Sequence, residues 1–596
     1  MSEDHDASWG WGADESPQDD DEVVVQENPA AQLQPPGGDD DDDDGDDRSP
    51  LLPDQQGSRT HASMGDSIIG KPSHMAQYIT ALAATMGALS MGAILGYSSP
   101  AGSQLKGPDL PPNVTLNVSN IDCPLIHDEP LTDNQISWFG STVNIGALIG
   151  APLGGVCINL IGRRTTMVAT IAPFLLGWFL IEFANNFAML VAGRIFCGIC
   201  CGLVSLSVPT YIGEIASPDI RGLLGTGFQL MVVIGILYVY SLGAGLCWQW
   251  IALLCLIPAV VFCVAMFFSK ESPVFLLSKN KSQEAKEALQ FFRGEHYNIE
   301  PELQQLTQSI EEAQRNKASF RDLKTPYILK PLLISLALMF FQQTSGINAI
   351  LFNLNEIFKS AHVELGEDAS SIIIAAVQVV ATCLGAVLMD RAGRKLLLIL
   401  SAGAMCISLV GMGAYFFVSE QDLENHTTNA DSLGWLPLLS MIIFITFFSI
   451  GFGPIPWLMM GELFSAEVRE LASTLATLTN WLLSFIVTLV FQPLIDAINN
   501  SGVYWLFAIF CACSFVFSLL VVKETKGKTI EEITFMFGGP PPNAGGNVAP
   551  SIPVVVVVNA APNVSPPSGE DERKRSTASS SSSSASEGAD NKGFVA

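Results

Sequence analysis

The chain has 596 residues, of which 49% are hydrophobic and only 15% are charged, and its mean hydropathy is +0.36. This composition excludes a soluble multidomain protein and predicts a chain that is largely embedded in a membrane. Most of the formal net charge of −28 is located in residues 1–60, which contain 19 Asp and Glu but only two Arg.

The amino-terminal segment, residues 1–75, is predicted to be a disordered acidic tail on the cytoplasmic side. Its run from Asp39 to Asp44 repels itself and offers no apolar residues for a core. Binding of a basic partner is the alternative interpretation. The tail also contains Asp47, Leu51 and Leu52 in the sequence DRSPLL, an acidic dileucine pattern of the kind that clathrin adaptors bind. The pattern predicts sorting to endosomes or lysosomes, although so short a pattern also arises by chance. No cleavable signal peptide is predicted.

Between the tails, twelve apolar segments are each long enough to cross a bilayer, which requires about 20 residues. They lie at residues 77–97, 136–158, 166–184, 189–211, 222–244, 249–268, 330–352, 370–390, 396–417, 437–459, 471–492 and 502–522. The predicted fold is an all-α membrane protein with two six-helix halves, residues 76–269 and 330–535. The linker 270–329 has helix formers and apolar residues at helical spacing, which favours short amphipathic helices over a plain linker. Residues 536–596 are predicted to be a second disordered cytoplasmic tail.

The distribution of Arg and Lys predicts the orientation of these spans, because positively charged loops stay in the cytoplasm. One face of the predicted bundle carries most of them, whereas the opposite face carries only Lys106 and Lys359. Both termini are therefore predicted to be cytoplasmic. Three N-glycosylation sequons, at Asn113, Asn117 and Asn425, fall in predicted outer loops and agree with this orientation.

Most of the cysteines lie within or at the ends of predicted spans, where they are best interpreted as small core residues. Cys123 is the only one in a sizeable outer loop. A disulfide between Cys123 and Cys247, at the end of span five, is conceivable, but one candidate pair does not define a disulfide framework.

Three charged signatures occur once in each predicted half, in the same order. Gly-Arg-Arg at 162–164 is repeated as Gly-Arg-Lys at 393–395, Glu and Arg seven residues apart recur at 214–221 and 462–469, and Lys-Glu-Ser at 270–272 is repeated as Lys-Glu-Thr at 523–525. This regularity indicates a duplicated bundle whose substrate site lies near the midplane between two rocking halves. The residues predicted to form an inner gate are Arg163, Arg164, Glu214, Arg221, Glu271, Asp390, Arg394, Lys395, Glu462, Arg469 and Glu524. The alternative is that these charges only set the topology.

Span seven contains three amides within seven residues, Gln342, Gln343 and Asn348. An unpaired carboxamide is costly in an apolar interior, and a sugar hydroxyl can both donate to it and accept from it. Because the three amides cannot share one face of a straight helix, the sequence predicts a break at Ser345-Gly346. Other residues that could line the same cavity are Gln229, Gln378, Trp457, Asn480 and Trp481. For any single amide, an interhelical hydrogen bond is an equally good interpretation.

Acidic and basic groups are missing where an ion-driven carrier would need them. No Asp, Glu, Lys or His lies at the predicted midplane of a span. A carrier driven by protons or sodium ions normally has a titratable or anionic group within the membrane. The substrate is therefore expected to be neutral and its transport passive. Arg194, the interior cation of span four, is interpreted as a structural residue that pairs with backbone or carboxylate groups.

Five motifs together resemble the sugar porter family of the major facilitator superfamily, over roughly residues 75–535. They are YIGEIASPDIRG at 211–222, QQTSGIN at 342–348, DRAGRK at 390–395, GPIPW at 453–457 and ETKG at 524–527. Within that family, GYSSPA at 96–101 and RGLLG at 221–225 are similar to intracellular facilitative glucose transporters and arthropod trehalose carriers. The resemblance implies that the sugar site is lined by Gln229, Gln342, Gln343, Asn348, Gln378, Trp457 and Trp481.

The chain departs from the family pattern at several positions. Asn159 and Leu160 stand where an acidic residue and an Arg usually precede Gly-Arg-Arg, and Val274 replaces another Arg. The first-half inner gate is therefore expected to be weaker than the second. Ser98 stands where proton-coupled relatives carry an Asp, which supports passive transport. Ser449 stands where the plasma-membrane glucose carriers have a Glu, so the residues of their inner gate cannot all be assigned to this chain.

The sequence is thus interpreted as a facilitative transporter of a neutral sugar, with glucose or a related hexose as the expected substrate. Trehalose is the alternative substrate, and a non-transporting sugar sensor is the alternative class. No enzyme activity, cofactor, metal or nucleic-acid partner is expected. The expected partners are a small neutral sugar, membrane lipid and, through the dileucine pattern, clathrin adaptors. The expected location is the plasma membrane or the endosomal and lysosomal membranes.

Overall fold

The computed structural model describes residues 73–107, 123, 129–315, 322–363, 365–426, 430–539 and 541. The dileucine pattern and the sequons at Asn113 and Asn117 lie outside these residues. Asn425 is the last residue of a long helix and is exposed. We call the end of the molecule that carries Arg163 and Arg394 the cytoplasmic end, following the predicted orientation, and the opposite end the outer end.

Eight helices form the first six spans, which we call the first half. They are α1 (Met75–Gly96), α2 (Ser98–Lys106), α3 (Asp133–Leu160), α4 (Arg163–Ala169), α5 (Ile171–Glu182), α6 (Phe187–Ile215), α7 (Arg221–Gly243) and α8 (Trp248–Phe268). Large apolar side chains such as Ile257 and Phe268 are exposed on the outside of the bundle, as a lipid-facing surface requires.

Three short helices follow in the linker, where the sequence predicts amphipathic helices. They are α9 (Pro273–Ser278), α10 (Ser282–Arg293) and α11 (Glu300–Arg315). One face of α10 is buried through Ala285, Leu289 and Phe292, while Glu284, Lys286 and Glu287 are exposed. The apolar stripe therefore packs against the protein, which is what makes this segment helical rather than a free linker.

The second half begins with α12 and repeats the six-span plan. Its helices are α12 (Pro326–Thr344), α13 (Ile347–Phe352), α14 (Leu354–Ser360), α15 (Glu367–Ala392), α16 (Arg394–Asn425), α17 (Leu436–Ile450), α18 (Ile455–Leu463) and α19 (Ala466–Leu520), followed by the short α20 (Ile530–Met536). In the described residues, eleven stretches are long and apolar enough to cross a membrane. The last of them joins two predicted spans across Asn499, whose φ of 61° is not helical. The twelve predicted spans are therefore confirmed.

Small residues allow α3 and α6 to pack at very short distance. A Cβ added to Gly146 would lie 2.2 Å from the carbonyl oxygen of Ile195, and one added to Gly198 would lie 2.1 Å from that of Val143. Close backbone approach through small residues is how membrane helices gain packing energy without a hydrophobic driving force. The two helices form a tight seam inside the first half.

Two further connections bind segments of the first half together. Cys123 forms a disulfide with Cys247, which ties the first outer loop to the start of α8 and resolves the pairing that the sequence left open. At the cytoplasmic end, the buried side chain of Gln77 donates to the carbonyl oxygen of Phe292 at 2.9 Å and accepts from the backbone N–H of Ser217 at 2.7 Å. The start of α1 is thereby joined to both the α6–α7 turn and α10.

Candidate functional site

A break in span seven places two of its amides beside each other. Helix α12 ends at Thr344, and Gly346 has a φ of +84°, a left-handed conformation that favours glycine. Across this break, Nδ2 of Asn348 donates to Oε1 of Gln343 at 2.8 Å. The predicted discontinuity is confirmed. The amide nitrogen of Gln343 and the amide oxygen of Asn348 have no hydrogen-bond partner among the described residues, so one donor and one acceptor remain for a ligand.

Gln342 is used differently from its neighbour, because its amide is fully occupied by the protein. Its Nε2 donates to the carbonyl oxygens of Phe452 and Gly453 at 2.7 and 2.9 Å, and its Oε1 accepts from Nδ2 of Asn480 at 2.7 Å. These contacts join α12 to the α17–α18 break and to α19. In this conformation Gln342 and Asn480 therefore act as interhelical hydrogen-bonding residues.

The remaining predicted site residues lie on four helices, α7, α15, α18 and α19. Gln229 is half-buried on α7, and Gln378 is buried on α15 with its Oε1 unpaired. Trp457 packs beside Met339, and Trp481 is buried with its indole N–H unpaired. No hydrogen bond between described residues joins Gln229 or Gln378 to the amides of span seven. Buried polar atoms without a protein partner, such as those of Gln378 and Trp481, are available to a ligand.

A polar stripe on α19 belongs to the same region, and two of its residues, Ser484 and Thr488, were missed by the sequence analysis. Ser484 Oγ accepts from Asn348 Nδ2 at 2.8 Å, and Thr488 Oγ1 accepts from Asn144 Nδ2 of the first half at 3.1 Å. Asn480, Ser484 and Thr488 are four residues apart, so the stripe follows one helix face. That spacing was the signal that could have revealed it.

At the cytoplasmic end of the first half, the duplicated charges form a buried network. The guanidinium of Arg163 donates from Nε and Nη2 to Oε1 of Glu214, at 3.1 and 2.8 Å, and both side chains are only 1% exposed. Ser272 donates its hydroxyl to the other oxygen of Glu214. The backbone N–H groups of Arg163 and Arg164 donate to Oε1 of Glu271 at 3.0 and 3.1 Å.

The second half repeats this network position by position. Arg394 donates from Nε and Nη2 to Oε1 of Glu462 at 3.1 and 2.9 Å, and Thr525 donates to the other oxygen at 2.5 Å. The backbone N–H groups of Arg394 and Lys395 donate to Glu524, both at 3.0 Å. This network is the more exposed of the two. The sequence predicts a weaker first-half gate, and in the structure the ion pair of that half is the more deeply buried of the two.

The glycines of both signatures have a structural reason. Gly162 and Gly393 have φ values of +99° and +88°, and a Cβ on either would collide with Glu271 or Glu524. Each glutamate thus reaches the amino terminus of a helix, where free N–H groups favour an anion. Burial opposes ionisation of Glu524, but donation from four backbone N–H groups outweighs it and lowers its pKa. Its contacts are therefore fully present at neutral pH and are lost as the pH falls through that lowered pKa.

The other predicted gate residues have different partners. Arg221 and Arg469 each donate to the carbonyl oxygen five residues earlier, at 3.2 and 3.0 Å. The side chain of Arg164 donates to the carbonyl oxygens of Met266 and Phe267. Asp390 lies in α15, but its side chain is outside the described part of the structure. The ion pair Arg163–Glu214 connects spans of the first half, and Arg394–Glu462 connects spans of the second half. Each pair therefore stabilises one half and does not join the two.

Arg194 is fully buried in α6 and is held without an acidic partner among its hydrogen bonds. It donates to the carbonyl oxygens of Ile94 and Phe139, at 2.9 and 3.3 Å, and to the hydroxyl of Ser98. Its guanidinium also lies over the rings of Tyr97 and Phe139. These contacts agree with the structural role predicted for it.

Polar contacts join the two halves near the outer end. Ser99 of α2 hydrogen-bonds Asn355 of α14 at 3.0 Å, and Tyr240 of α7 donates to the carbonyl oxygen of Leu351 at 2.7 Å. These two contacts connect α2 and α7 of the first half to residues 351 and 355 of the second half.

Comparison with known proteins identifies the family. The family model described as sugar (and other) transporter matches residues 78–537. The chain belongs to this sugar transporter family. It is therefore a multi-pass membrane transporter rather than an enzyme, as the sequence predicted.

The transporter is also similar to individual proteins over most of its length. It is 38% identical to the facilitated trehalose transporter Tret1 of Apis mellifera ligustica, over 78% of this chain and 88% of that protein. It is 39% identical to the facilitated glucose transporter member 8 of solute carrier family 2 from Mus musculus, over 78% of this chain and 94% of that protein. A partially occluded, inward-open structure of the xylose transporter XylE from E. coli matches with a TM-score of 0.62 and 24% identity, over 76% of this chain and 99% of that one. This last likeness confirms the major facilitator fold.

Proposed function

We propose that the transporter carries glucose or a related hexose passively across its membrane by alternating access. The observation that supports this most is the pair Gln343 and Asn348, which offers a donor and an acceptor without a charge beside a broken helix. A neutral polyol matches such a site better than an ion or an amino acid, because charged substrates need a counter-charge in the membrane interior. Among the described residues, Arg194 hydrogen-bonds backbone oxygens and Ser98 but no carboxylate, so it has no acidic partner that could carry a proton, which supports passive transport.

The proposal is tested by uptake and counterflow in vesicles containing the full-length protein, with glucose, other hexoses and trehalose as labelled substrates. Saturable counterflow of a hexose, unaffected by collapsing a proton gradient, is the expected result. Trehalose is the second candidate, because a relative of 38% identity is a facilitated trehalose transporter. Counterflow of trehalose without counterflow of a hexose would identify trehalose as the substrate. Absence of counterflow with every sugar, despite measurable binding, would instead identify a sensor.

Replacing Gln343 by Ala should weaken sugar binding several-fold. The change removes one direct hydrogen bond, worth about 0.5–1.5 kcal/mol, and the contact that orients Asn348. Sugar affinity is measured by equilibrium binding to the purified protein, and its thermal stability is measured alongside.

Gln342 provides the matched control, because its amide is occupied by protein atoms. Its replacement by Ala leaves the carbonyl oxygens of Phe452 and Gly453 without their donor and should lower stability more than the change at Gln343 does. Normal sugar affinity in the Gln343→Ala protein would remove that residue from the site.

The tail pattern supports a further proposal about location. We infer that clathrin adaptors bind Asp47, Leu51 and Leu52 and retain the transporter in endosomal or lysosomal membranes. Replacing Leu51 and Leu52 by Ala should therefore shift a substantial fraction to the plasma membrane, measured by surface biotinylation. Replacing Val24 and Val25, an apolar pair in the same tail, should leave the distribution unchanged. An equal distribution of both variants and the unaltered protein would contradict the adaptor proposal.

A further inference from the structure

One ammonium group bridges the two halves at the outer end. Lys106, the last residue of α2, places Nζ 2.8 Å from Oε1 of Glu356 in α14 and 3.0 Å from Oδ1 of Asp133 at the start of α3. Helices α2 and α3 belong to the first half, whereas α14 belongs to the second. The lysine therefore has one partner in its own half and one across the interface.

The two carboxylates differ in their environment. The side chain of Glu356 is 30% exposed and its Oε2 is buried without a hydrogen bond, whereas the side chain of Asp133 is 53% exposed. Asp133 can be hydrated when its ion pair breaks, but Glu356 depends on Lys106 while the halves are closed. Breaking the contact between Lys106 and Glu356 therefore costs more free energy than breaking the contact between Lys106 and Asp133.

A polar cavity lies directly beside these three residues. It is lined by them and by Ser103, Ser137, Asn353 and Gln492, among others. On its inner side, Ser99 and Asn355 form a second contact between the same helices, both side chains being buried. In the alternating access proposed above, outward opening separates α2 of the first half from α14 of the second, so both contacts must open.

We propose that Lys106, Glu356 and Asp133 form an outer latch that sets how often the transporter opens outward. Separation of the halves breaks the bond from Lys106 to Glu356 but leaves the bond from Lys106 to Asp133 intact, because its partners move together. Asp133 thereby keeps the lysine paired in the open state, while Glu356 pairs it across the interface only in the closed state. This inference rests on the alternating access of the proposed function.

The latch predicts opposite effects for its two carboxylates. Glu356→Gln weakens only the closed state and should favour outward opening, whereas Asp133→Asn weakens the pair that survives in the open state and should favour closure. Lys106→Met leaves Glu356 and Asp133 facing each other without a counter-charge and should favour opening at least as much as Glu356→Gln. A merely structural role would move both carboxylate variants in the same direction.

A cysteine reporter in the cavity measures the opening. Ser137 lines the cavity, is only 9% exposed, and bonds through its hydroxyl to a carbonyl oxygen of its own helix, so Ser137→Cys is a mild change. In a Ser137→Cys background that also carries Leu51→Ala and Leu52→Ala to bring the protein to the cell surface, an impermeant thiol reagent is applied to intact cells. Labelling should be about fivefold faster with Glu356→Gln, the effect of one partly exposed ion pair. It should be slower with Asp133→Asn.

Lys281→Met is the matched control, because its ammonium also forms an ion pair, at 2.9 Å from Glu284, but on the cytoplasmic surface. It should leave the labelling rate unchanged, and protein that retains Ser137 gives the background. If a variant fails to reach the surface, the same rates are measured on the purified protein. Equal rates, or a shift of both carboxylate variants in one direction, would overturn the latch. Loss of sugar counterflow in the unaltered protein would overturn the proposed function and leave the labelling result standing.

Discussion

Replacing Arg163 by Ala should lower the free energy of unfolding by about 3–5 kcal/mol, the cost of removing one partner of a buried ion pair. Glu214 would keep its bond from Ser272 but would lose both bonds from the guanidinium, and it is almost inaccessible to water. The apparent stability of the purified transporter in a denaturant series measures the effect.

The second half supplies the matched comparison. Arg394 and Glu462 make the same contacts, but their side chains are 13% and 23% exposed, so water can compensate part of the loss. Arg394→Ala should therefore cost clearly less than Arg163→Ala. Equal losses would show that burial does not decide the strength of these networks, and a loss below about 1 kcal/mol at Arg163 would contradict the argument altogether.

Replacing Gly346 by Ala should damage the amide site as well as stability. A side chain at its φ of +84° is strained by about 1–2 kcal/mol, and its Cβ would lie 2.4 Å from the ring of Phe507. Because the collision involves a packed ring, repacking adds a cost of about 1–3 kcal/mol. Any relief that straightens the helix separates Gln343 from Asn348, so we expect sugar affinity to fall more than in Gln343→Ala.

Gly366→Ala isolates the backbone term of this prediction. Gly366 has a φ of +78° and no heavy atom within 4 Å of an added Cβ, so it should suffer the strain without the collision. It should lose about 1–2 kcal/mol and keep normal sugar affinity. If Gly346→Ala bound sugar normally, the broken helix would not be needed to form the site.

The sequence predicted the fold, and it identified the residues of the two cytoplasmic ion pairs, because both depend on residue types that the local chemistry requires. The sequence shows a recognisable pattern wherever a carboxylate approaches a helix terminus that follows a glycine with a left-handed backbone. Gly162 and Glu271 are an example. The break at Gly346 was equally readable, since two amides on opposite faces of a helix cannot otherwise meet.

Other features depend on how distant segments meet, which no local pattern encodes. The side-chain amide of Gln342 can donate to the carbonyl oxygens of Phe452 and Gly453 only because a second broken helix lies against the first. The pairing of Lys106 with Glu356 depends on how the halves are positioned in one conformation. Lys106, one of two lysines at the outer face, carried no sign of that partner, 250 residues away in the sequence.

The ties at the start of α1 also define how far the chain can be shortened. Ser73 donates its backbone N–H to the carbonyl oxygen of Arg293 at 2.7 Å, and Nε2 of His74 lies 3.0 Å from Oδ2 of Asp219. The side chain of Gln77 is buried between the α6–α7 turn and α10. A truncation before Ser73 removes the acidic tail and keeps every one of these bonds. A truncation before Tyr78 would remove Ser73, His74 and Gln77 together and release α10 from the first span, so residue 73 is the natural starting point for a minimal transporter.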